Sequence, residues 1–369
     1  MKKLFLLCSV LLMLLMPLVV IGAEEECEED LIVVLTYDEA MALALEDLPA
    51  LQDLENRIEE LEEELYYLNR DYRLIRWQIN TPIVIATRNR LTEIDRELEY
   101  LSHDIDILQL RRERSLRSAL LAIANAALDI ETAEASIVIT SEQLRRTERL
   151  HSFGFASASE LRIAQQRLTQ EQIGLENLLI AQTNAQHSLN HLLGQPVYQQ
   201  IYVEFEQELP EIPEYLTIHI ETLVSQAPSI RQMRFDIYRR REDLNRHLNI
   251  YRERGVRPPR ECDECDDLHE AYDRVTLVRN IATRAMGAEL RTAYSNLEQL
   301  QAQETAARLA LVQAEENLQT AQTNFDLGRV TQFEIDTAVF AIFSAQQAVE
   351  RILNLQWGLA LGLDNPVLL

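Results

Sequence analysis

Phe153-Gly154-Phe155-Ala156-Ser157-Ala158-Ser159-Glu160-Leu161 decides the fold, because the chain repeats it without a gap as Leu327-Gly328-Arg329-Val330-Thr331-Gln332-Phe333-Glu334-Ile335. A glycine that tolerates positive φ ends a helix. A hydroxyl three residues later can cap the next one, by Ser157 or Ser159 in the first copy, and a glutamate sits in its first turn. On either side the chain is helical. The stretch from about Leu91 to His151 contains neither Pro nor Gly; a helix of that length spans roughly 90 Å, more than any small globular core requires. The return helix runs over about 158–193. In the second copy a long helix from about Asp266 to Phe325 precedes the turn, and a last helix runs from about Thr331 to Leu361.

Further upstream lies a heptad seam. Leu51, Leu54, Ile58, Leu61, Leu65, Leu68, Tyr72, Ile75 and Ile79 are spaced alternately by three and four, with Glu59, Glu60, Glu62, Glu63 and Glu64 between them. After a break near Asn80-Thr81-Pro82 the same spacing resumes at Leu91, Ile94, Leu98, Leu101, Ile105 and Leu108. Two such seams joined by a short turn make an antiparallel coiled-coil hairpin. The second half follows the same plan, with a helix from near Thr217, a break at Gly255-Val256-Arg257-Pro258-Pro259, and then the long helix. Two further matches keep the order: Leu35-Thr36 to Pro49 against Leu216-Thr217 to Pro228, and Leu193-Gly194-Gln195-Pro196-Val197 against the stretch Leu361 to Val367. The sequence therefore reads as an all-α chain of two repeats, 24–215 and 216–369. In each, two short helices stacked end to end match one long helix. One short strand is expected within Tyr198–Phe205. Flat apolar sides on such units call for neighbours, and ring closure by several copies is the economical way to cover them.

Composition agrees. Gly (9) and Pro (10) are scarce in 369 residues, and the net charge is -25. Lys2 and Lys3 are the only lysines. A surface this acidic repels phosphate backbones, so nucleic acid is excluded as a partner. Lys2-Lys3, the apolar run Leu4–Ile21, Gly22-Ala23 and then Glu24-Glu25-Glu26 have the form of a secretory signal, residues 1–23. The run is also just long enough to be a retained anchor. Cys8 falls in that segment, leaving Cys27, Cys262 and Cys265. Cys262-Asp-Glu-Cys265 lacks a second pair and is an incomplete zinc knuckle, a weak metal candidate; a local or inter-subunit disulfide is the other reading. No cofactor motif is present. Glu148-Arg-Leu-His151 is a lone E-x-x-H, whereas a di-iron bundle needs two. G-x-S-x-G, P-loop and H-E-x-x-H patterns are missing, which argues against an enzyme.

Together, Leu35-Thr36-Tyr37-Asp38-Glu39-Ala40 with Pro49, the paired Gly turns, Leu192-Leu193-Gly194-Gln195-Pro196-Val197 and the short–long–short helix order resemble the outer-membrane efflux protein family, the TolC-like exit ducts, over about 35–369. The resemblance implies a homotrimer enclosing a hollow α-helical barrel. It implies work with a periplasmic adaptor and an inner-membrane transporter in the cell envelope. It places the partner-binding tip at Gly154, Ser157 and Glu160 in one turn and at Gly328, Arg329, Thr331 and Glu334 in the other. The family pattern also requires two strands between short and long helix in each half, and the junctions at about 80–90 and 252–265 have no room for membrane strands of about 9–11 residues. The expectation is therefore a TolC-like α-barrel protomer without a membrane β-barrel, serving as a duct or scaffold for export. The alternative is a structural coiled-coil protein of the envelope. Ile83-Val84-Ile85 reads either as an exposed apolar end, free to touch lipid or a partner, or as a turn packed on its own hairpin.

Overall fold

A computed structural model describes residues 32–46, 48–77, 81–207, 209–253 and 262–366. The expected leader, Cys8, Cys27, Ile79, Asn80, the Gly255–Pro259 break and Val367 lie outside those residues. The element order is β1 (Val33–Thr36), α1 (Tyr37–Glu46), α2 (Pro49–Ile75), α3 (Pro82–Ser152), α4 (Ala158–Leu192), β2 (Ile201–Glu204), α5 (Leu216–Gln226), α6 (Pro228–Glu253), α7 (Asp263–Asp326) and α8 (Gln332–Asp364).

The heptad seam is the buried stripe of α2. Leu51 and Leu61 are fully covered and Leu54, Ile58, Leu65, Leu68, Tyr72 and Ile75 partly so, while nearly every position between them is exposed. The facing stripe on α3 starts earlier than the spacing from Leu91 suggested. Val84 and Thr87 already belong to it, ahead of the buried Ile94. Pro82 is the reason: it begins α3 instead of breaking it, since the missing N–H of a first-turn residue forfeits no helix bond. Pro49 and Pro228 likewise open α2 and α6, so the helix read from Thr217 onward is two helices meeting at Ala227. Salt bridges set the antiparallel register of α2 on α3. Arg57 meets Glu97 at 2.9 Å, and Arg90 grips Glu64 through Nε and Nη2, both at 2.8 Å.

Both hydrophobic cores sit at the middle of a long helix. Ala40 and Ala44 of α1, Leu116 and Leu120 of α3, and Leu189 of α4 pack with Leu193, Ile201, Val203 and Trp357. In the second half Ile220, Val224 and Ile230 pack on Leu290, Ala293, Tyr294 and Leu297 of α7. At the first core the guanidinium of Arg112 donates to the carbonyl of Ala44 through Nε and to that of Leu192 through Nη2, each at 2.7 Å. The ends of α1 and α4 therefore meet at one residue of α3. From there α4 follows α3 toward the Gly154 turn while α2 follows it the other way. The 27 residues of α2 and 35 of α4 thus flank the 71 of α3 end to end, and α6 (26) and α8 (33) do the same for α7 (64).

The expected strand forms at 201–204, with Ile201 and Val203 inward, and pairs in parallel with β1, Val33 opposite Ile201 and Thr36 opposite Glu204. Sequence reading passed over β1, whose extended form depends on pairing with a strand far along the chain. The halves join along α3. Asn354 donates to Asn125 at 2.8 Å, Gln347 to Glu131 at 2.9 Å, and Arg351 pairs with Asp129. On α6, Asp236 accepts from the Tyr100 hydroxyl at 2.7 Å.

Truncating Leu116→Ala should lower stability by about 3 kcal/mol in a urea titration, the cost of a cavity at a fully buried leucine. Burial, then the hydrogen-bonded Asp236 carboxylate, push the Tyr100 hydroxyl from 10.0 to about 12. Its folded value lies above the unfolded one, so its contribution is complete below pH 10 and is lost as pH rises toward 12. Tyr100→Phe should flatten that alkaline loss in a pH series of urea midpoints.

Candidate functional site: the paired glycine turns

At the first turn, α3 ends at Ser152 and Gly154 takes φ +77°. The Gly154 N–H reaches back to the His151 carbonyl at 2.9 Å and the Phe155 N–H to Leu150 at 2.8 Å, which satisfies the last carbonyls of the helix. His151 Nδ1 donates to the Ala156 carbonyl at 2.8 Å, so this histidine fastens the turn. Ser157, rather than Ser159, is the cap: its Oγ accepts from the Glu160 N–H at 3.2 Å, and the Glu160 carboxylate accepts from the Ser157 N–H at 2.6 Å and hydroxyl at 2.8 Å. The bond from the Ser157 N–H, then that from its hydroxyl, hold the Glu160 carboxyl below the usual carboxylate range. At the second turn Gly328 has φ +68° and its N–H bonds to Phe325 at 2.8 Å. The Glu334 carboxylate accepts from the Thr331 N–H at 2.6 Å and hydroxyl at 3.2 Å. Thr36 and Glu39 form the same box where α1 begins. The recurring hydroxyl–x–x–Glu spacing is thus a helix-start device, and the acids expected at the tip turn their charge onto their own backbone.

The structure brings the two turns to one end of the molecule. The guanidinium of Arg146, one and a half turns before the end of α3, lies 5.8 Å from the centre of the Phe333 ring, next to Glu334. Phe153 and Phe155 stand 74% and 82% exposed at this end. Arg329 is exposed and makes no ion pair among the described residues. Sequence reading missed the two phenylalanines as surface features, although both were in the quoted motif. Beside the first turn, Thr140, Thr147, Phe155, Glu160, Ile163 and Arg167 line an open cleft of about 330 Å³. Cys262 and Cys265 lie at the other end of α7 and are paired as a disulfide.

Among solved structures the chain superposes on the outer membrane protein VceC from Vibrio cholerae with a TM-score of 0.61 and 14% identity, covering 89% of this chain and 95% of that one. CusC gives 0.62 with 11% identity over 89% and 91%. The CmeC outer membrane channel of Campylobacter jejuni gives 0.61 with 12% identity over 89% and 85%. The fold is that of the TolC-like efflux channels. No protein-family model and no curated protein matches the sequence. The hairpin ends away from the turns are short. Only six residues separate α2 from α3, and nine separate α6 from α7. Neither stretch can supply two membrane strands of about 9–11 residues each. Ile83 and Ile85 are exposed there, and Val84 is buried in the seam. Among the described residues no helix is long and apolar enough to cross a membrane.

Ser157→Ala should cost about 1 kcal/mol locally and speed amide exchange in the first turn of α4, whereas Ser159→Ala should leave that exchange unchanged. Hydrogen–deuterium exchange read by mass spectrometry distinguishes the two.

Proposed function

We propose that three copies of this chain close into an α-helical duct or scaffold that serves an export system of the cell envelope. The observation that carries this reading is the apolar side chains left bare along the long hairpins. Val138, Ile163, Ile173 and Ile180 in the first half, and Leu277, Ile281, Leu309 and Val312 in the second, are each at least half exposed. Rods this thin have no interior in which to place them, and a neighbouring copy offering the same faces would cover them. The TolC-like fold supports three as the number, and the two repeats, 24–215 and 216–369, would then supply six alternating units around the ring.

The turn end is the docking end in this proposal. Gly154, Ser157 and Glu160 with Gly328, Arg329, Thr331 and Glu334 form two rigid, capped turns that a periplasmic adaptor would meet, with Phe153 and Phe155 as apolar anchors. An inner-membrane transporter would stand behind the adaptor. In this proposal the described residues give the duct no membrane barrel and no catalytic role.

The short hairpin ends favour a second reading, a coiled-coil spacer of the envelope that conducts nothing. Light scattering of the chain without residues 1–23 separates them: a particle of three times the monomer mass, ring-shaped in electron micrographs, supports the duct. A stable monomer or dimer sinks it. Replacing Leu309 and Val312 together by Glu should break the trimer to monomers while leaving the far-ultraviolet helical signal in place.

A further inference from the structure

At the end of the α6–α7 hairpin opposite the glycine turns, three ligand-type side chains converge. Cys262 caps the N-terminus of α7 and Cys265 lies in its first turn, with the Cys265 N–H donating to Cys262 Sγ at 3.3 Å. His247 comes from α6, and its Nε2 stands 3.7 Å from Cys262 Sγ. The donor atoms of the three residues all fall within 4.8 Å of one another. The other ring nitrogen of His247, Nδ1, lies 3.5 Å from the Glu264 carboxylate. Tyr251 packs edge-on against the imidazole, ring centres 5.4 Å apart. Cys265 is buried and His247 nearly so.

We propose that the dithiol form of this cluster is a Cys₂His site for zinc or a cation of similar softness. The donor set is what such a cation selects: two thiolates and one imidazole, with the fourth tetrahedral position left for water or an outside ligand. The spacing fits. In a tetrahedral zinc site the edge from sulfur to nitrogen is about 3.6 Å, from bond lengths of about 2.3 and 2.0–2.1 Å. Cys262 Sγ and His247 Nε2 already stand at that separation. The pair Cys262–Cys265, with Cα atoms 5.2 Å apart, needs only side-chain rotation to hold its sulfurs about 3.8 Å apart on one ion. The carboxylate of Glu264, 3.5 Å from Nδ1, is placed to take the outer contact that would fix the tautomer with Nε2 toward the metal. Two fields act here in the same sense. The α7 N-terminus favours the thiolates, and Asp263, Glu264 and Asp266 in that first turn favour a cation beside them.

A disulfide staple by itself has no use for a histidine aimed at its sulfur. Loading and oxidation exclude each other. A thiol reductant delivers two electrons and two protons to the Cys262–Cys265 disulfide and leaves as its own disulfide. Zinc then displaces the two thiol protons and binds both sulfurs and the imidazole. Oxidation of the two thiolates to the disulfide by a disulfide oxidant removes two ligands and releases the ion.

The test uses the full chain with Cys8→Ser and Cys27→Ser, reduced, freed of reductant under argon, and titrated with Co²⁺. One equivalent should produce an ultraviolet thiolate-to-cobalt charge-transfer band and intense tetrahedral visible bands, and Zn²⁺ should bleach both. His247→Ala should weaken Co²⁺ binding by at least about 10-fold, and Cys262→Ser or Cys265→Ser should abolish the charge-transfer signal or reduce it to half. Zinc should also protect both thiols from a disulfide reagent in the parent and not in His247→Ala. Free thiols with no cobalt spectrum at one equivalent would overturn the site. So would a spectrum and thiol protection indifferent to His247→Ala, since the third ligand is the substance of the proposal.

Discussion

Arg112 holds the architecture at its weakest place. Two short helices that stack on a long one leave a joint, and at that joint two helix ends present carbonyls with no partner inside their own helices. The guanidinium answers both at once, through Nε to Ala44 and Nη2 to Leu192, from within α3. A planar fork with fixed donor directions does this; an ammonium would serve one carbonyl or the other. Around the tie, the alanines of α1 allow its backbone to lie close against Leu116 and Leu120, and the β1–β2 pair closes the outer side. The apolar core is small and central. Everything beyond it is two- or three-rod packing, in which register is set by polar pairs such as Arg90–Glu64 and Asn354–Asn125.

Most of this was legible because it is periodic. A seam of alternating threes and fours cannot be laid on any other backbone without scattering its leucines, and α2 shows those positions as its covered stripe. The paired turns were legible for a related reason: Gly, hydroxyl and Glu at fixed offsets are local instructions for ending one helix and starting another, read without knowledge of tertiary contacts. The same logic applied to Pro82, Pro49 and Pro228 would have placed three helix starts correctly, had proline been taken as a first residue and not only as a breaker. The strand β1 was illegible because its reason for being extended is a partner 168 positions away.

The turn residues show what a motif can conceal. Glu160 and Glu334 were legible as tip acids, but their spacing from Ser157 and Thr331 already carried the structural use: each carboxylate is spent on its own capping box. Phe153, Phe155 and Arg329 remain exposed at that end. His247 is the opposite case. Fifteen residues before Cys262, it looks unrelated to C-x-x-C until α6 and α7 are laid side by side, which sets 247 against the start of α7. Antiparallel pairing about a known break is the signal that would have found it.

An uninterrupted α3 has a mechanical corollary. From Arg112 to Ser152 the helix runs 40 residues without glycine or proline, an arm of roughly 60 Å at 1.5 Å per residue. Pivoting such an arm by about 5° at its fulcrum sweeps the far tip through about 5 Å, which is a full helix pitch. The polar ladder of α3 on α8 is therefore also a brake, because small slippage near the hinge is read out as large travel at the phenylalanines.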